Sequence, residues 1–210
     1  MTDDARREIL SRLRSQRRSV GPPGPWRSRR GFDDLAAQFE TALETANGEV
    51  IQAADLEEAT ERLDELLQEL RTTRVVANAE APLTEMDLRG RWPEISWHIV
   101  GQSAGNLRAF CADADVGLSG ARAALAETGS IVLHSGPGSS RLTTLLPPVH
   151  IALVPVSRLT TDIFSWVEAR EKPLPANITL VSGPSKTADI EQTLATGVHG
   201  PGRLIVILYQ

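Results

Sequence analysis

Apolar positions along the chain repeat with two spacings. From Asp33 they fall four apart, at Leu35, Phe39 and Leu43, and predict a helix that stops at Asn47-Gly48. A short strand over residues 49–53 follows. Asp55 with Glu58 three residues later then opens a second helix, which runs to about Arg71 and turns Leu56, Leu63, Leu66, Leu67 and Leu70 inward. Arg74-Val75-Val76-Ala77 is the next buried strand. Alternation of strand, helix and strand argues for parallel pairing, because parallel neighbours need a crossover. Residues 80–98 keep neither spacing, since Pro82, Gly90 and Pro93 interrupt them; Trp92 and Trp97 anchor an expected loop there.

The second half predicts helices over residues 106–112, 121–127, 162–170 and 188–194. Strands are expected over 115–118, 130–133, 149–154, 178–181 and 204–208. The sum is an α/β domain over residues 31–210, a largely parallel sheet with helices on both faces. Ahead of it, residues 1–30 form a basic helical arm with Ile9, Leu10 and Leu13 as a short apolar stripe. A linker, Gly21-Pro22-Pro23-Gly24-Pro25, ends the arm because proline cannot continue a helix.

Charge is divided unevenly. The 210 residues carry a net charge of −5, yet residues 1–30 hold nine arginines against three acids, a net +6. The arm has no interleaved aromatics and the body is acidic, so no nucleic-acid partner is expected; the stripe is read as packing on the body or on another subunit. A third reading keeps the arm as a binding or regulatory module. Only two of the 22 basic residues are lysines, Lys172 and Lys186. The single cysteine, Cys111, excludes an intrachain disulfide framework, a Cys₄ zinc site and an iron–sulfur cluster held by this chain's thiolates alone. With no apolar run near the roughly 20 residues of a membrane helix and no signal-peptide stretch, no membrane span is expected and the location expected is cytoplasmic.

Three strand-end loops hold the candidate chemistry, because open α/β sheets bind ligands beyond strand carboxyl ends. In the first, Gly120 would let backbone approach a ligand, and Glu127, with Thr128 and Gly129, would supply a base, nucleophile or polar anchor; Gly129 is equally a helix C-terminal cap. The second, the turn at residues 135–140, is either an oxoanion cradle or a plain hairpin. The third is the densest. Ser182, Gly183, Ser185, Lys186 and Thr187, with Asp189 and Glu191, combine hydroxyls, an ammonium and a helix start into an anion site, or simply form a capped helix with first-turn acids. His98, His134, His150 and His199 show no metal-ligand spacing and are read as core or loop residues, and no metal site is expected.

At these loops a family resemblance emerges. Gly120-Ala121-Arg122-Ala123-Ala124-Leu125-Ala126-Glu127-Thr128-Gly129-Ser130-Ile131-Val132-Leu133 resembles the central signature of the LUD-domain family, in its lactate-utilization C branch. Leu146-Pro147-Pro148-Val149-His150-Ile151-Ala152-Leu153-Val154 resembles the next block. The stretch from Ser182 through Glu191 and on to Gly197-Val198-His199-Gly200-Pro201 resembles the last. The resemblance covers about residues 33–210. It implies a fold similar to the sugar-phosphate isomerase and coenzyme A transferase superfamily. It also implies a non-iron–sulfur subunit of a bacterial system oxidising L-lactate to pyruvate, with the clusters on partner subunits. By the same resemblance, Glu127-Thr128-Gly129 could take the place of the superfamily's glutamate. The alternative is a free-standing small-molecule enzyme of that superfamily acting on a small anionic ligand.

Overall fold

Helices and strands are interspersed along the chain in a computed structural model that describes residues 3–15, 26–170, 173–188 and 194–210. In chain order these are α1 (Asp3–Ser15), α2 (Leu35–Thr45), β1 (Glu49–Ala53), α3 (Leu56–Glu69), β2 (Arg74–Ala77), α4 (Leu88–Arg91), β3 (Ser96–Ile99), α5 (Leu107–Ala112) and β4 (Val116–Ser119). There follow β5 (Ala123–Leu125), β6 (Ser130–Ser135), α6 (Arg141–Leu145), β7 (Val149–Pro155), β8 (Leu159–Thr160) and α7 (Ile163–Ala169). The last elements are β9 (Asn177–Val181), β10 (Lys186–Ala188), β11 (Leu194–Thr196) and β12 (Arg203–Tyr209). Side chains cap the helix starts: Asp34 accepts from the N–H groups of Ala36 and Ala37, and Asp55 accepts from that of Glu58.

Six strands form one sheet in the order β1-β12-β7-β4-β2-β3, every pair parallel. The central strands are apolar on both faces, as sheets covered on both sides require. On one face Ile205 and Ile207 of β12 and Ile151 and Leu153 of β7 meet Leu63, Leu66 and Leu67 of α3. On the other, Leu204, Val206, Leu208, Ala152 and Val154 meet Phe39 and Leu43 of α2, together with a second sheet. That four-stranded sheet, ordered β8-β5-β6-β9, presents Ala124, Ile131 and Leu133 to the larger one and covers its outer face with Trp166 of α7. A largely parallel sheet with helices on both faces is therefore the fold.

Three local expectations give way. Residues 121–127, read as a helix, form β5 and a turn into β6. Their small side chains are buried alternately on two faces, Ala124 and Ala126 toward α2, Ala123 and Leu125 toward Trp166. Tertiary packing overrides alanine's helix preference there. Residues 188–194, also read as a helix, begin and end instead in the antiparallel pair β10–β11, while residues 189–193 lie outside the described residues. The expected loop over 80–98 contains α4 and the edge strand β3, on which Trp97 and Ile99 face the α3 side. The turn expected at residues 135–140 is present, with Gly136 bridged to Ser139, and the helix α6 follows it.

The arm's helix exists, and its stripe is uncovered: Ile9, Leu10 and Leu13 are 50%, 39% and 59% exposed. Among the described residues Trp26 meets the body, its ring 4.2 Å from that of Phe164, and Arg27 pairs with Glu168.

Candidate functional site

The carboxyl end of β9 and the amino ends of β7 and β12 enclose a cavity of about 230 Å³, lined among others by Thr144, His150, Ser182, Ser185, His199 and Gly200. Strand alternation aims His150 into it. Leu204 and His150 are register partners on the α2 side of the sheet, and Gly117 of β4 lies beside His150. That glycine has a packing reason, since a Cβ there would lie 1.8 Å from the carbonyl oxygen of Thr143 in α6. The family-like blocks at 146–154 and 182–201 thus meet in one place.

His150 is wholly buried. Its Nε2 shares a 2.8 Å hydrogen bond with Oγ of Ser119, while its Nδ1 has no partner among the described residues. Burial pushes its pKa down to about 3, so the imidazole is neutral at physiological pH. A buried ring nitrogen left without a partner costs stability. The residue also lines the cavity wall, with Thr144, Ser182 and Ser185. The sequence marks His150 and His199 as core or loop residues; His150 is buried, and both line the cavity. The available signal was position: a histidine inside the otherwise apolar strand of the second block.

The predicted residues divide into two groups, and sheet direction explains why. β6 and β9 are antiparallel, with Ile131 opposite Val181 and Ser135 opposite Asn177, so the loops after them leave from opposite ends of the small sheet. At the cavity end, Thr128, Ser130 and Ser182 form a hydroxyl chain with both links at 2.6 Å. Gly129 and Gly183 sit at the same end with positive φ angles of 61° and 96°. A Cβ on Gly129 would meet the Leu43 nitrogen at 2.2 Å, and one on Gly183 the Ala46 carbonyl at 2.5 Å. Both glycines let loops close onto the end of α2. Ser185 lines the cavity and its N–H donates to the Pro201 carbonyl at 2.8 Å, joining the two halves of the last block.

Gly120 lies at the other end, under the Ala81 carbonyl. Lys186 stands on β10 rather than at a helix start, and its ammonium donates to Asn47 Oδ1 at 2.6 Å. Thr187 pairs with Ala195 in that hairpin. Glu127, in the β5–β6 turn, forms an ion pair with Arg30. Asp189 and Glu191 lie outside the described residues. Lys186 and Glu127 therefore engage other partners, and the cavity's own polar groups are hydroxyls and imidazoles. Cys111 is buried beside Val76 and Val100, and burial pushes its thiol up to about 11, far from a thiolate ligand's range. Among the described residues no cluster of three or more metal-ligating side chains occurs, and no helix is long and apolar enough to cross a membrane.

Comparison with known proteins follows the same blocks. A family model described as LUD domain matches residues 36–209. Lactate utilization protein C of Halalkalibacterium halodurans is 40% identical over 104 residues, 46% of this chain and 45% of that protein. The protein of the same name from Geobacillus sp. (strain WCH70) is 37% identical over 130 residues, 58% of this chain and 54% of that one. An uncharacterized protein of Neisseria meningitidis serogroup B is 43% identical over 101 residues, 47% of this chain and 43% of the relative. The chain thus spans about half the length of the curated relatives it matches. The crystal structure of a DUF162 family protein from Deinococcus radiodurans superposes with a TM-score of 0.56 at 23% identity, over 84% of this chain and 96% of that one, and shares the fold.

Proposed function

This chain belongs to the LUD-domain family, and on that premise we propose that it serves lactate utilization, as the non-iron–sulfur subunit of a system that oxidises L-lactate to pyruvate. One observation carries the reading: relatives named lactate utilization protein C match it at about 40% identity, within a family match running from residue 36 to 209. Electrons leaving lactate require a redox carrier. This chain's one thiol is buried and protonated, so the clusters that carry them belong to partner subunits. Within the complex, the cavity at His150, Ser182 and Ser185 holds a small polar ligand.

Deleting the gene in its host tests the role. Growth on L-lactate as sole carbon source is lost, growth on pyruvate is kept, and the gene supplied in trans restores the first. Unchanged growth of the deletion strain on lactate overturns the reading. The cavity also favours a second reading, a free-standing enzyme of the isomerase and transferase superfamily. In that case the isolated protein alone converts a small anionic substrate.

A further inference from the structure

The arm and the body carry opposite charge, and each leaves a complementary surface open. The chain's −5 and the arm's +6 put residues 31–210 at −11. Within the arm, residues 9–18 hold Arg12, Arg14, Arg17 and Arg18 and no acid, beside Ile9, Leu10 and Leu13. In α1, Ile9 and Leu13 are four apart and share a face with Leu10, all three exposed. Arg6 lies one turn ahead of Ile9 and Leu10 on that face, exposed and in no ion pair among the described residues. Arg12 flanks the stripe and pairs with Glu8 of the same helix.

On the body, the start of α3 and the chain leading into α4 border an open groove of about 590 Å³. Its apolar floor is Leu56 and Met86, both partly buried and packed against the core. Glu57, Glu85 and Asp87 line it, all exposed and without an ion pair among the described residues. Arg91 also lines it, with its guanidinium 5.5 Å from the centroid of the Trp92 ring. Glu61, one turn beyond Glu57 on α3, is exposed as well and extends the acidic side. Unpaired carboxylates around an apolar floor suit a basic amphipathic helix, whose apolar face lies in the groove while its charges meet the rim.

We propose that α1 of one copy of this chain docks in the α3–α4 groove of a second copy, which docks its own α1 in return. Ile9, Leu10 and Leu13 then lie on Leu56 and Met86, and the arginines face Glu57, Glu85 and Asp87. In the single chain both the stripe and the groove stand open. A two-fold exchange covers two of each at once and closes the assembly at a dimer. Trp26 and Arg27 fasten the foot of the arm to α7. The ten residues between α1 and Trp26 span up to about 35 Å when extended, enough to reach a neighbouring body. A lipid surface suits the arm less, because the stripe has three aliphatic residues and no aromatic anchor, and α1 also carries Asp3, Asp4 and Glu8. Pairs at an exposed rim are screened by salt, so the dimer is salt-sensitive. The exchange stands independently of the role in lactate oxidation.

Light scattering on the full chain as it leaves a sizing column gives its mass in solution and is the test. The unaltered protein is a dimer at low salt and dissociates as salt is raised. Ile9→Asp combined with Leu13→Asp gives a monomer. Two charge reversals, Arg6→Glu with Arg12→Glu in the arm and Glu57→Arg with Glu85→Arg in the groove, each weaken association by about tenfold or more. Circular dichroism confirms that each variant is folded. Mixing the two reversed proteins restores the dimer, since each reversed arm then meets a reversed groove and each native arm a native one. Docking of the arm on its own body gives no such rescue. The proposal is overturned if the unaltered protein is monomeric at every concentration, if the folded variants dimerise as it does, or if the mixture stays monomeric. It is equally overturned if the arm carries a monomer onto phosphatidylserine vesicles instead.

Discussion

Burial of a neutral imidazole at His150 has a pH signature. In the unfolded chain a histidine titrates near 6.5, whereas burial holds folded His150 down to about 3. Acid therefore protonates the unfolded state first. The contribution of His150 is whole above about pH 6.5 and is lost as pH falls toward 3, with a slope of at most about 1.4 kcal/mol per pH unit. Urea unfolding at pH 7, 6 and 5 should show the unaltered protein losing stability faster than a His150→Gln variant. Parallel losses would show the ring is not held neutral. Glu127 makes the opposite case. Its partner Arg30 is a surface group, 56% exposed at the side chain, and such pairs contribute about 0–1 kcal/mol. Glu127→Gln should shift unfolding by less than about 1 kcal/mol and leave lactate-dependent activity of the assembled system intact. A loss of activity with unchanged stability would restore Glu127 to the chemistry.

Two tight turns, β5–β6 and the loop after β9, fasten α2 to the small sheet through Gly129 and Gly183. Gly129→Ala combines a positive φ with a 2.2 Å approach to the Leu43 nitrogen. It should lower stability by about 2 kcal/mol or more, read as a fall in the urea midpoint; an unchanged midpoint would mean that α2 is held elsewhere. Such elements also show what the sequence made legible. The large sheet was readable because β7 and β12 are long and apolar on both faces, and α3 because its four leucines, with Leu70 at its end, recur at helical spacing beside a capping pair. β5 was not readable, since three residues of alanine and leucine follow no helical or strand period strongly enough to outweigh alanine's preference. β3 was hidden by Pro93 just ahead of it and by its length of only four residues. Of the candidate site, Ser182, Gly183 and Ser185 were visible as a dense polar loop. Their partners His150 and Ser119 were not, because the bond between them joins neighbouring strands 31 residues apart in sequence.

At the scale of the molecule, a basic arm with an exposed apolar stripe is attached to an acidic body. Hydroxyls and imidazoles gather at the His150 cavity of that body. The proposed subunit, binding a small polar molecule while partners carry electrons, accounts for the cavity and for the one buried thiol. Affinity purification of the tagged protein from lactate-grown cells tests this most directly, with iron, sulfide and lactate-dependent dye reduction measured in the eluate. The prediction is co-elution of cluster-bearing proteins that together reduce the dye when lactate is added. Recovery of this chain alone, free of iron and inactive with lactate from cells that oxidise it, would contradict the role assigned.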